Sequence, residues 1–225
     1  DIFILQPPLL LNADLTKELD CTVSPDAQIF LTPSGGVGPF TYQVNFNGGG
    51  YAVIGSSTYT ATNPGTYQFR VTDSQLPTAC TSESNSITIN ALTTPTLTET
   101  HVDVTCNGGA DGSIVVTASN GIAPYEYSSD NGTSFQASNV FNGLSAATYN
   151  IVVRDSKNCT SLPEAVVIDQ PAQVGGSGAL NQGLTCGIGN ATQPAEVEIT
   201  GSGGTAPYTY SFNGGINYTT TNTYT

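Results

Sequence analysis

The stretch Gly121-Ile122-Ala123-Pro124-Tyr125-Glu126-Tyr127 has an earlier relative in Gly36-Val37-Gly38-Pro39-Phe40-Thr41-Tyr42 and a later one in Gly204-Thr205-Ala206-Pro207-Tyr208-Thr209-Tyr210. The prolines lie 85 and then 83 residues apart, about one small β domain. So even a spacing marks copies of one structural unit. Within each copy the glycine permits a turn, the proline fixes φ and ends the preceding pairing, and alternating aromatics start a strand. Pro39, Tyr42, Pro124, Tyr127, Pro207 and Tyr210 carry the motif.

Outward from this stretch the chain reads as short strands and tight turns. Thr, Ser, Asn, Val and Ile dominate between 25 glycines and 13 prolines, which is strand-and-turn composition. No window carries a helical period, and no apolar run is long enough to span a bilayer. Tyr67-Gln68-Phe69-Arg70-Val71-Thr72 alternates, sending Tyr67, Phe69 and Val71 to a core and Gln68, Arg70 and Thr72 to water. The copies predict an immunoglobulin-like repeat over residues 13–94, a second over 95–171 and a truncated third over 172–225. Ile2-Phe3-Ile4-Leu5-Gln6-Pro7 resembles Val166-Val167-Ile168-Asp169-Gln170-Pro171, so residues 1–12 read as the closing strand of a preceding repeat. The links between repeats are short and contain proline, which gives a stiff string of domains.

A tyrosine leads into a strand near the end of each complete repeat, Tyr67 after Asn63-Pro64-Gly65 and Tyr149 after Ser145-Ala146-Ala147. Both are assigned as tyrosine corners, with the ring in the core and the hydroxyl turned back to the preceding backbone. Asp73 and Asp155, six residues further on, are suited to accept backbone N–H bonds in the next turn.

Five cysteines fall into two repeat positions: Cys21, Cys106 and Cys186 early, Cys80 and Cys159 after the tyrosine strand. The expected pairing is within each repeat, Cys21–Cys80 and Cys106–Cys159, with the partner of Cys186 outside the chain. Disulfides place the protein in an oxidising compartment. With a single histidine and no closely spaced cysteines, the pattern is not that of a zinc site.

The second repeat shows a family likeness. Cys106-Asn107-Gly108-Gly109-Ala110-Asp111-Gly112-Ser113-Ile114, the Ala-Pro-Tyr-Glu-Tyr stretch, Gly143-Leu144, Tyr149-Asn150-Ile151-Val152-Val153-Arg154-Asp155 and Cys159 together resemble the SprB repeat of long Bacteroidetes-type cell-surface adhesins. The first and third repeats lack its Asp-Gly turn. The resemblance implies a secreted, surface-anchored, repetitive protein serving adhesion or gliding motility, exported by type IX secretion.

The expectation is therefore an all-β chain of tandem immunoglobulin-like β-sandwich repeats of about 80 residues forming a rod or filament, extracellular and at the cell surface. Its function is read as non-catalytic, a structural and adhesive segment whose partners are neighbouring repeats and other copies in a filament. A net charge of −13, with 17 acidic against four basic residues, excludes the basic face that nucleic acid requires. The alternative is a glycan-binding sandwich that uses the motif tyrosines. No cofactor is expected, calcium being the one candidate, held by Asp14, Glu18 and Asp20 or by Asp103 and Asp111. No nucleophile, base and orienting group recur together, so no catalytic residue is assigned.

Overall fold

A computed structural model describes residues 7–225. The proposed strand of a preceding repeat over Ile2–Gln6 lies outside them. The first unit runs β1 (Leu10–Lys17), β2 (Ala27–Ser34), β3 (Thr41–Phe46), β4 (Tyr51–Ile54), β5 (Thr58–Ala61), β6 (Gly65–Thr72), β7 (Thr81–Glu83) and β8 (Ile87–Ile89). Two sheets form, one ordered β1-β2-β5 and one β4-β3-β6-β7, with β8 also on β6. Leu10, Leu11 and Asn12, expected to close a preceding repeat, instead pair with Ser34, Pro33 and Thr32 at the start of this unit. Leu11 and Ala13 alternate into the core, and this holds the register.

The core lies between the two sheets. Ile29 and Leu31 of β2 face Phe69 and Val71 of β6, all buried, and Ile89 of β8 closes one side. Period-2 alternation on both inner faces is what a sandwich requires. The outer face of β6 is half-covered rather than fully exposed. The Arg70 guanidinium stacks 3.8 Å from the centre of the Tyr51 ring and bonds Glu83 at 2.7 Å.

The second unit repeats the plan with β9 (Thr96–Val102), β10 (Gly112–Ser119), β11 (Glu126–Ser128), β12 (Val140–Leu144), β13 (Ala147–Arg154) and β14 (Glu164–Ile168). Its sheets are β12-β10-β9 and β11-β13-β14. Ile114 and Val116 meet Ile151 and Val153 across the core, with Val166 and Ile168 beside them. Arg154 takes the place of Arg70, stacking 4.0 Å from the centre of the Phe135 ring and bonding Glu126.

The third unit contains β15 (Gly175–Gln182), β16 (Thr185–Cys186), a 3₁₀ turn (Ile188–Asn190), β17 (Thr192–Gln193), β18 (Glu196–Ser202) and β19 (Thr223–Tyr224). Its main sheet is β15-β18-β19. None of its described side chains is buried. Among the described residues no helix is long and apolar enough to cross a membrane. The chain is all-β, and its complete units are immunoglobulin-like sandwiches.

Candidate functional site: the repeat junction

The two ends of each sandwich are built differently, and the strands set which cysteine lies at which end. In the first unit β2 starts near Cys21 and ends at Ser34, beside Gly35 and Gly36. A Cβ on Gly36 would lie 3.1 Å from the Asp73 carboxylate, so the end of β2 meets the end of β6 and the loop that carries Cys80. Cys21 and Cys80 are therefore separated by the length of β2, about 25 Å at ~3.3 Å per residue. A disulfide needs Cα atoms within roughly 7 Å. The same topology separates Cys106 from Cys159 along β10. The pairings expected within each repeat, Cys21–Cys80 and Cys106–Cys159, are thereby corrected.

The structure instead joins Cys21 of the first unit to Cys159 of the second, with Cα atoms 4.8 Å apart. Cys80, Cys106 and Cys186 are free and exposed. Equal spacing of repeat positions cannot distinguish pairing within a unit from pairing between neighbours, because both use one early and one late cysteine. Only the strand directions settle it.

Around the bond the two units are fitted together. The Cys21 amide donates to the Lys157 carbonyl at 2.8 Å. The Lys157 ammonium meets the Glu18 carboxylate. Leu15, Leu19 and Leu92 of the first unit and its link close with Ile122 around a cleft of about 50 Å³. Such a cleft is far below the size that takes a small-molecule substrate.

The loops on the second unit's side of the junction hang on one carboxylate. Asp155 is 4% exposed. One of its oxygens accepts from the amides of Lys157 and Cys159, both at 2.9 Å, and the other accepts from the amide of Ile122 at 3.0 Å. Ser156 adds two bonds, from its amide and its hydroxyl, to the Ile122 carbonyl. Asp155 thus ties the Gly121-Ile122-Ala123-Pro124 turn to the Cys159 loop. Asp73 does the same in the first unit, accepting from Val37, Gln75 and Cys80.

The motif residues now have places. Pro39, Pro124 and Pro207 are exposed, and each follows a cis peptide bond. Tyr42 and Tyr127 pack partly against their cores, while Tyr210 is half-buried in the third unit. The Tyr125 and Tyr208 hydroxyls donate to the Asn120 and Gly203 carbonyls, five residues back. These half-buried rings form no exposed aromatic row. The Tyr67 hydroxyl donates to the Asn63 carbonyl at 2.8 Å and the Tyr149 hydroxyl to the Ser145 carbonyl at 3.1 Å, each bracing the corner at the other end of the sandwich.

The acids considered for calcium are each engaged singly. Asp14 accepts from Asn12, Asp20 from Thr22 and Lys17, Asp111 from Thr105, Asp103 from the Asp169 amide, and Glu18 pairs with Lys157. Bonds from the Thr22 and Thr105 hydroxyls hold the Asp20 and Asp111 carboxyls below the usual carboxylate range. No group of three or more metal-ligating side chains occurs among the described residues. His101 has Glu99 as its partner, 3.1 Å away.

The SprB repeat family model matches residues 15–49, 98–134 and 193–217, one segment in each unit. A comparison with curated proteins finds no match. Among solved structures, that of an amphioxus IgVJ-C2 molecule aligns with a TM-score of 0.31 and 13% identity, over 73% of this chain and 98% of that one. That likeness is too slight to carry an argument.

Proposed function

We propose, from the match of three segments of this chain to the SprB repeat family model, that it is a non-catalytic extracellular spacer in an adhesive cell-surface protein. SprB repeats occur in cell-surface, adhesin-like proteins, and immunoglobulin-like sandwiches are structural modules. The observation that carries the reading is the junction, where a disulfide, a backbone hydrogen bond and an ion pair fix one repeat against the next. A chain with its units locked this way transmits force and holds a distal contact away from the cell. Adhesion, with gliding motility and type IX export as the setting implied by the resemblance, is the use proposed for it. Other copies lying alongside in a filament are the proposed assembly.

Replacing this segment in the surface protein with unrelated, disulfide-linked immunoglobulin-like domains of equal length tests the proposal. Cell attachment should survive the replacement and fall when the segment is simply deleted. Loss of attachment on replacement would overturn the spacer role and favour direct glycan binding by the segment itself.

A further inference from the structure

The Cys21–Cys159 bond joins the early cysteine of one repeat to the cysteine after the tyrosine strand of the next. Cys106 is the early cysteine of the second unit, and Cys80 is the late cysteine of the first. Each lies at the end of its unit away from the bonded junction.

The end of the second unit that bears Cys106 is built like the end that bears Cys21. Asp20 braces the Cys21 loop through the amide and hydroxyl of Thr22, and Asp111 braces the Cys106 loop through those of Thr105. The third unit lies at that end. Thr205, at the repeat position of Ile122, lines a cleft with Asp103 and Val104, as Ile122 does with their counterparts Glu18 and Leu19. At the opposite end, Cys80 lies in a loop held by Asp73 as Asp155 holds the loop of Cys159, its amide donating at 2.7 Å. Both thiols are exposed, each at the place where its counterpart is bonded.

We propose that Cys80 and Cys106 are links in a continuous ladder of disulfides between repeats. On this pattern Cys106 bonds the post-tyrosine-strand cysteine of the third repeat, and Cys80 bonds the early cysteine of a neighbouring repeat at its own end of the first. In each bond two thiols lose two protons and two electrons to a disulfide oxidant, R–SH + R′–SH + X–S–S–X giving R–S–S–R′ + 2 X–SH by way of a mixed disulfide. This inference rests on the junction geometry and is independent of what the surface protein adheres to.

The test uses the full-length protein from its cells, alkylated under native conditions, unfolded, digested without reduction and mapped by mass spectrometry. Cys80 and Cys106 should be almost unalkylated, each in a cross-linked peptide whose other cysteine is of the opposite class and from an adjacent repeat. Cys106→Ser in the same protein should expose one new alkylatable thiol, in the third repeat, and leave the Cys21–Cys159 peptide in place. Recovery of Cys80 and Cys106 as free thiols beside an intact Cys21–Cys159 peptide would overturn the ladder alone. Recovery of Cys21–Cys80 and Cys106–Cys159 would overturn the junction as well.

Discussion

Asp155 shows how much of this architecture rests on single side chains. It is almost wholly buried, yet it accepts three backbone N–H bonds that no other group is placed to satisfy. Removing an acceptor costs more than the bond itself, because the donors stay behind without water, at about 1–3 kcal/mol for each buried group left unpaired. Asp155→Ala should therefore destabilise the second unit by roughly 3 kcal/mol, read from its unfolding in denaturant. Asp155→Asn sharpens the test. Its one carbonyl oxygen can still serve Lys157 and Cys159, but its amide then faces the Ile122 N–H, donor against donor. The asparagine variant should fall between alanine and wild type, and full recovery by asparagine would contradict the three-bond account.

The turn between β11 and β12 is an element whose stability depends on pH. Ser128 and Ser134 donate their hydroxyls to Asp130, each at 2.6 Å, and the Ser134 amide adds a third bond. Together they lower the Asp130 pKa from 3.8 to about 2. A carboxyl more acidic in the folded than in the unfolded chain stabilises the fold fully above its unfolded value, and the contribution fades as pH falls through the folded one. This turn should loosen between about pH 4 and pH 2, measured as faster amide exchange over Asp130–Ser134. Asp130→Asn should flatten that dependence while keeping the turn, since Asn213 receives equivalent bonds from Ser211 and Asn217 in the third unit. Legibility in the sequence followed the same elements. Strands with one buried face, such as β2, β6 and β10, show their alternation directly. β9 is less legible, because its threonines and acids on a largely exposed strand give no clear apolar period. β15, Gly-Gly-Ser-Gly-Ala-Leu-Asn-Gln and exposed throughout, carries no pattern, because its place comes from pairing with β18. The cysteine positions were readable too. Their partners were not, because which end of a sandwich a loop occupies depends on strand direction.

At the scale of the whole molecule the decisive question is whether the junction or the individual sandwich supplies the stability. Each complete unit has its own core, the first around Ile29, Leu31, Phe69 and Val71, the second around Ile114, Val116, Ile151 and Val153. Neither core contains the Cys21–Cys159 bond, which closes a separation of 138 residues. In the chain-entropy picture a loop of that length is worth about 5 kcal/mol when the enclosed chain is wholly unfolded. When one unit unfolds and the other stays folded, the bond restrains much less chain, so little of that figure should appear in either unit's own transition. What the bond does restrain directly is the short link through Ala91, Leu92 and Pro95. Pro95 is buried beside Gly121, where a Cβ on the glycine would meet it at 3.2 Å. Cys21→Ser with Cys159→Ser should therefore leave both unfolding transitions nearly in place while limited proteolysis in the 90–94 link speeds up. Adding Lys157→Ala, which removes the ion pair to Glu18, should accelerate cleavage further. A double cysteine variant whose second unit unfolds several degrees earlier, with the link still resistant, would instead make the disulfide part of that unit's fold and not a fastening between repeats.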